Sequence, residues 1–365
     1  MTAGGFLSSW GKVYKSFQLK PSYITAMFIF ELGSLICAVA PNSETFILGR
    51  AIAGLGSAGL INGSMTIIAL SVPSRKRPIF MGIVSSTYGV AAVCGPLIGG
   101  AFADRITWRW CFYINLPIGG LAALNVILFF RSPSTAKPID ASLLDKIKNM
   151  DLAGAMLLMG AIVSFTLAFE YGGQKLAWNS SVVIGLLVGF VVIMAVFVGW
   201  QFWQGDRGMI PPRVVKNKPV WSCASFQFCF AGSYFISLYY LPIYFQSVDN
   251  SSPIESGVRN LPLVLGVTVS TIIMGVVVSK MDRTKPFMMA GSALVTISCG
   301  LFYTFEQNTS TGKWVGYQLL AGVAWGGIWQ MALLTAQART NQADIAIVIS
   351  ISYSKHTCHP ARTRP

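Results

Sequence analysis

The sequence predicts an all-α fold, a bundle of membrane-crossing helices with about ten complete spans. Three observations carry this. Apolar stretches of bilayer-spanning length recur along the 365 residues. The chain is 53% hydrophobic and only 11% charged, with a mean hydropathy of +0.59, where a soluble domain carries about twice that charged fraction. Its basic residues gather in alternate connectors rather than in one patch. The net charge of +14 is therefore read as membrane topology and not as a nucleic-acid surface.

In chain order, residues 1–9 read as the tail of a helix too short to cross alone. Spans follow at 22–40, behind Pro21, and at 46–71, a run rich in Gly and Ala. The span at 79–103 contains Ala91, Gly95 and Gly99 at four-residue spacing, so one helix face is almost bare of side chains. A neighbouring helix can pack there nearly backbone to backbone. Pro96 lacks an N–H, so the Ala92 carbonyl loses its helical donor and the helix tends to bend toward protein or a wet cavity. After 108–130 comes a bland pair, 151–171 and 181–203. The run 219–246 is crowded with aromatic residues, and 258–279, 286–305 and 315–337 complete the set.

One series of connectors holds Lys12, Lys15 and Lys20, Arg75 to Arg77, Arg131 to Lys148, Arg207 to Lys218, Lys280 to Lys285, and Arg339. The intervening series holds only Arg105, Arg109, Lys175 and Lys313, so the first is expected on the cytoplasmic side. Asn179, Asn250 and Asn308 each begin an Asn-x-Ser/Thr sequon, all in expected outer loops. The longest cytoplasmic links, 131–150 and 204–219, bracket the bland pair. The expected organisation is an N-terminal bundle over 1–130, a central linker with an inserted helix pair over 131–218, a C-terminal bundle over 219–344, and a truncated helix with an aberrant tail over 345–365. No basic start followed by an apolar core, as in a cleavable signal peptide, occurs in residues 1–20.

Most cysteines sit inside apolar runs and none forms a Cys-x-x-Cys pair, so neither a disulfide framework nor a metal site is indicated. His356, Cys358 and His359 cluster in the tail without a matching second half, which reads as accident. No cofactor is expected.

Several side chains could carry chemistry. Arg50, Gly54, Ala58 and Asn62 recur every four residues and line one stripe. An arginine in a membrane helix faces a cavity or a partner, or else snorkels to the headgroups. The small residues beside it would admit a substrate or a neighbouring helix. Glu31, near the middle of its span, is either a proton carrier or a structural carboxyl between helices, and an ion pair with Arg50 is open. Aromatics through the depth of 219–246, Tyr239 and Tyr240 among them, with Gln227 and Pro242 interspersed, suit a flat amphiphilic ligand or a lipid-facing wall. Gly322, Gly326 and Gln330 share a stripe, and Gln337 lies two turns on. Glutamines there could bond a ligand or a facing helix.

These motifs resemble a known family. Gly95-Pro96-Leu97-Ile98-Gly99-Gly100 is similar to the antiporter signature of major facilitator drug:proton exporters, whose usual form begins with Gly where this chain has Ala91. Arg50-Ala51-Ile52-Ala53-Gly54-Leu55-Gly56 resembles the family's fourth-helix motif, whose arginine is assigned to proton coupling. Trp108 through Gly119 looks like the sixth-helix opening of the fourteen-span branch. Tyr240 through Gln246 and Ser256 through Pro262 are similar to its fungal members, which include multidrug and toxin efflux pumps. Gly11-Lys12-Val13-Tyr14 resembles the fungal form of the loop between the family's second and third helices.

The resemblance implies a secondary transporter that expels amphiphilic small molecules in exchange for protons by alternating access. It would sit in the plasma membrane, or alternatively the vacuolar membrane. Arg50 and Glu31 would serve proton coupling, the Gly95/Pro96/Gly99/Gly100 helix would seal and bend, and Asn62, Gln227, Tyr239, Tyr240 and Gln330 would bound the cavity. On this alignment the family's first helix, most of its second and its last two are absent. Two rivals remain, a non-transporting fragment and a membrane-embedded lipid-modifying enzyme. The enzyme would need paired Asp clusters or a His–Asp site within the spans, yet both histidines lie in the tail.

Overall fold

The computed structural model describes residues 2–133, 142, 150–209, 211, 217–281, 284–307, 309–340 and 344–350. The expected links at 131–150 and 204–219 fall largely outside them, as do Asn308 and the tail with His356, Cys358 and His359. The elements are α1 (Thr2–Ser16), α2 (Leu19–Val39), α3 (Ser43–Ser71), α4 (Arg77–Arg105), the short α5 (Trp110–Tyr113), α6 (Asn115–Phe129), α7 (Leu152–Tyr171), α8 (Ser181–Gln204), α9 (Lys218–Ser247), α10 (Pro253–Arg259), α11 (Leu261–Met281), α12 (Lys285–Tyr303), α13 (Thr311–Ile328) and α14 (Met331–Ala338). No strand occurs among the described residues. Nine helical stretches there are long and apolar enough to cross a bilayer, and α4, continuous over 29 residues, has the length for a tenth. The fold is thus an all-helical membrane bundle.

The chain separates into two compact units, one comprising Met1–Ser71, Phe102–Ser222 and Thr340–Pro365, the other Val72–Ala101 and Cys223–Arg339. Most of α4 belongs to the second unit.

In unit 1 the main pairing is α2 against α3, and glycines set its distance. A Cβ added at Gly33 would strike the Ala53 backbone, and one at Gly56 would strike that of Phe30. The motif around Trp108 fastens α5 and α6 to this pair. Arg109 donates to the Ala40 carbonyl at 3.0 Å, Asn115 donates to Ser34 Oγ at 3.2 Å, and Phe46 meets Trp108 and Phe112 edge-on at 5.5 and 5.4 Å.

The expected loop at Gly11-Lys12-Val13-Tyr14 is instead helix, and the expected helix tail at 1–9 runs on as α1 to Ser16. The reason is packing. Trp10 donates to the Leu55 carbonyl at 2.8 Å and Tyr14 to the Gly59 carbonyl at 2.9 Å, seating α1 along α3. Lys12, counted from sequence as a solvated connector charge, is 5% exposed and donates through Nζ to the Arg207 carbonyl. Residues 345–350 are helical and buried against α1: a Cβ on Gly11 would sit 2.6 Å from Ser350 Oγ and 2.8 Å from the Ala346 carbonyl oxygen. Lys15 pairs with Asp344 at 2.6 Å. Leu7, Trp10, Tyr14, Leu19, Ala26, Ala58 and Ala346 form the core beneath.

The bland pair α7–α8 hides a polar hub at its start. Asp151, 2% exposed and left-handed at φ 49°, caps α7 by accepting from Gly154 N at 3.0 Å. Its carboxylate also accepts from Trp200 Nε1 at 2.7 Å, Gln201 Nε2 at 2.8 Å and the Met209 N–H at 2.7 Å. Four donors hold one buried charge.

Unit 2 repeats the glycine device between α11 and α13. A Cβ on Gly322 would lie 2.6 Å from the Leu263 carbonyl oxygen and 2.9 Å from Gly266 Cα, and one on Gly326 would strike the Val267 carbonyl. At this short range Ser270 donates to the Val323 carbonyl at 2.8 Å. Over the expected outer end of the unit, Arg259 pairs with Asp249 at 2.9 Å and Glu255 at 2.7 Å and lies over Phe245 and Trp314. Gln246 donates to Ser256 Oγ at 2.8 Å, so the Ser256–Pro262 motif is a knot that closes α9 onto α10.

The bare stripe of α4 behaves differently from expectation. Cβ atoms added at Gly95 or Gly100 would meet nothing within 4 Å, and Ala91 and Gly95 are exposed. Within its own unit α4 is gripped earlier, where Gly82 and Gly89 face Thr271 and Thr268 of α11.

Two predictions follow from this packing. Gly33→Leu and Gly326→Leu should each destabilise the fold by about 1–3 kcal/mol or more through overpacking, whereas Gly95→Ala should leave the unfolding midpoint in detergent unchanged. Asp151→Ala, which strands several buried donors, should cost about 3 kcal/mol or more and lower the same midpoint by several degrees.

Candidate functional site

In unit 2 the helix that begins at Thr311 does not run through. It stops at Ile328, turns over Trp329 and Gln330, and restarts as α14 at Met331. The local sequence Gly326-Gly327 weakens the helix just before the break. Trp329 and Gln330 keep right-handed helical dihedrals and the span continues to Ala338, but carbonyls that lose their helical donor at the turn need outside partners. Thr271 of α11 supplies one, its Oγ1 reaching the Gly326 carbonyl at 3.1 Å.

Gln330 sits at this turn, 4% exposed. Its Nε2 donates to the Met81 carbonyl and to Ser85 Oγ of α4, while its Oε1 is buried with no hydrogen-bond partner among the described residues. Gln227 of α9, 4% exposed, donates through Nε2 to the Trp329 carbonyl at a long 3.5 Å. Aromatic rings close the other side. Tyr234 packs edge-on against Trp329 and Trp325 at 5.0 and 5.7 Å, and Phe230 against Trp329 at 5.8 Å. Trp325 Nε1 is held by Ser233 Oγ at 3.1 Å.

Between these rings and α4 lies a cleft of about 20 Å³, room for about one water molecule. Ser85, Tyr88, Tyr234, Thr268, Thr271 and Trp329 line it. Hydroxyls and aromatic faces converge on a helix break, a combination that can hold a small polar group and shift when the break bends. In this conformation it is too small for a drug-sized ligand, which needs about 300 Å³ or more.

The structure brings Gln227 and Gln330 to this one place. Tyr239 and Tyr240 lie farther along α9, packed edge-on against each other at 5.5 Å, with Tyr240 45% exposed. Gly95, Gly99 and Gly100 lie on α4 beyond the cleft; Pro96 is within the continuous helix.

The remaining candidates belong to unit 1. Asn62 is fully buried and engaged on all sides, donating to Leu7 O at 3.1 Å and Ala346 O at 3.5 Å and accepting from Thr66 Oγ1 at 3.1 Å. Its stripe is occupied by α1, since a Cβ on Gly54 would strike Thr2. Of the two occupants the sequence left open, the neighbouring helix is the one present. Arg50, at the exposed end of that stripe, lies over the Phe112 ring at 5.9 Å. Glu31 reaches across to α6, where its Oε1 abuts Gly119, and its Oε2 is buried without a hydrogen-bond partner among the described residues. Among the described residues no ion pair joins Glu31 to Arg50.

Ser85, Thr268, Thr271 and Trp329 were not anticipated. The usable signal was small hydroxyl residues within apolar spans, together with a Gly-Gly-x-Trp sequence.

A Major Facilitator Superfamily profile matches residues 2–354. The MFS-type transporter grgE of Penicillium sp is 51% identical over 98% of this chain and 63% of its own length. The probable efflux pump gsfJ of Penicillium aethiopicum is 50% identical over 96% of the chain and 63% of its length. The chain thus spans less than two thirds of these relatives. In fold it resembles the E. coli fucose:proton symporter FucP, with a TM-score of 0.63 at 14% identity over 98% of this chain and 79% of that one.

One prediction tests the break. Gln330→Leu should cost about 0.6–2 kcal/mol, the scale of interhelical hydrogen bonds in membranes. Thr268→Val, whose hydroxyl turns back on Val264 of its own helix, should move the unfolding midpoint much less.

Proposed function

The chain belongs to the Major Facilitator Superfamily, and from that premise we propose that it exports amphiphilic small molecules, of the secondary-metabolite class, in exchange for protons by alternating access. The observation that carries the reading is the broken helix at Trp329–Gln330, with aromatic walls, hydroxyl groups and a buried glutamine oxygen that lacks a partner. Discontinuous helices at mid-membrane depth are where secondary transporters gather polar contacts to their cargo. An aromatic wall with few polar groups suits a flat amphiphile. The cleft must widen to admit such a molecule, and a helix break next to α4 is a natural point of bending. Names of relatives support the direction of transport, since gsfJ is described as a probable efflux pump.

For the proton, the proposal keeps Glu31 and Arg50. A carboxyl with one buried oxygen unpartnered is suited to gain and lose a proton as its surroundings open and close. Arg50 is exposed beside an aromatic ring, with no carboxylate paired to it among the described residues, and can meet an approaching counter-charge. We place the protein in the plasma membrane.

Expression in an efflux-deficient yeast tests the proposal. Cells making this chain should retain less of a fluorescent amphiphilic dye than empty-vector cells, and a protonophore should abolish the difference. Glu31→Gln should lower proton-driven efflux by about tenfold or more at unchanged protein level. Retention equal to empty vector, with the chain well expressed in the membrane, overturns export by this chain.

A further inference from the structure

On the side that the charge alternation makes cytoplasmic, unit 2 opens into a cavity of about 830 Å³. Four of its lining residues are cationic: Arg75 before α4, Arg77 at its start, Lys285 at the start of α12, and Arg339 after α14. No acidic residue lines it among the described residues. Two helices, α4 and α12, begin at its wall, so the positive ends of both dipoles add to the fixed charge. Arg77 is anchored through its Nε on the Val72 carbonyl at 3.0 Å, and the Thr284 and Thr335 hydroxyls, 2.6 Å apart, tie α12 to α14 at the cavity wall.

Gln337 adds a polar group without a partner. It lines the cavity and is 3% exposed, and neither Nε2 nor Oε1 has a hydrogen-bond partner among the described residues. A buried amide left wholly unmatched is costly; closed off from the cavity as it stands, it reaches an anion there by turning about its side-chain bonds, which would give its Nε2 the acceptor it lacks. Nothing in the transport proposal calls on this residue.

We propose that this cavity is an anion site that takes a phosphate monoester. Arginine and lysine side chains, helix N-termini and a side-chain amide are the donors that phosphate oxygens recruit. The volume far exceeds what inorganic phosphate fills, so the occupant is the phosphorylated headgroup of an anionic lipid in the adjoining leaflet, where clustered basic residues meet anionic lipids. The site is independent of the cargo and of proton coupling.

The test uses the full chain in phosphatidylcholine nanodiscs with and without phosphatidylinositol 4-phosphate, read by thermal unfolding and by lipid retained in native mass spectrometry. The lipid should raise the unfolding temperature and be retained. The double variant Arg75→Gln/Lys285→Gln should weaken retention by about tenfold or more, and Gln337→Leu by about threefold or more, as expected for lost charge-assisted and neutral hydrogen bonds. Lys313→Gln, in a connector of the opposite series, should bind as the unaltered chain does. Inorganic phosphate in a parallel arm separates the two sources: stabilisation by phosphate alone, with displacement of the lipid, assigns the site to the free anion rather than a headgroup. Binding of neither probe, or an equal loss in Lys313→Gln, overturns the proposal.

Discussion

Close approach of helix backbones at glycine is the constraint from which the rest of this structure follows. Lipid tails are as apolar as leucine side chains, so burying apolar surface gains little between membrane helices; short-range packing and hydrogen bonds must hold them. Gly33 and Gly56 set the distance of α2 from α3, and Gly266, Gly322 and Gly326 set that of α11 from α13. Each unit contains such a seam, and the polar contacts form because the backbones are already near. Ser270 and Thr271 reach carbonyls of α13 with side chains one or two bonds long. At the usual helix separation of about 8–10 Å such a hydroxyl has only its own turn to bond, an acceptor that Thr271 keeps here through the Val267 carbonyl at 2.7 Å.

Most of the buried polar groups are spent on backbone carbonyls. Trp10, Tyr14, Lys12, Asn62 and Arg109 in unit 1, and Ser270, Thr271 and Gln330 in unit 2, all donate to main-chain oxygens of another segment. In hydrocarbon an unmatched polar atom is costly, so nearly every group finds a partner. Among the described residues the exceptions include atoms of Ser9, Gln227, Tyr244, Ser251, Asn260 and Gln318, and three that bear on function: Glu31 Oε2, Gln330 Oε1 and both amide atoms of Gln337. They occur at a mid-span carboxyl, at a helix break and in a basic cavity. All three are places where a proton or a ligand would complete what the protein leaves open.

Asp151 shows the opposite use of a buried charge. Its four donors come from the start of α7, the end of α8 and the segment just after it, so a single carboxylate fixes the geometry of a helix pair whose lengths are otherwise almost featureless. Arg259, bridging Asp249 and Glu255 over two aromatic rings, does the same at the other unit. Family motifs in this chain thus divide by task. Those around Trp108 and Ser256 fasten helices, whereas two glutamines outside the motifs, Gln227 and Gln330, gather at Trp329.

By itself the sequence determined the class and the list of spans. Hydropathy and segment length act through the bilayer, a solvent whose thickness is fixed, so runs such as 181–203 could be read without knowing their neighbours. It also determined the family, because Gly95-Pro96, Arg50-Ala51 and Trp108-Arg109 are local strings. Which bare face would be covered was beyond it. The stripes at Gly95 and at Gly322 look alike in one dimension, yet only the second meets another backbone, since that depends on which helix arrives opposite. Likewise Asn62 and Gln330 carry the same amide group on similar glycine-rich stripes; α1 and residues 345–350 consume the first, and the turn in the helix leaves the oxygen of the second without a partner among the described residues. Partners distant in sequence decide whether a polar group in a membrane is structural or available, and those partners exist only in three dimensions.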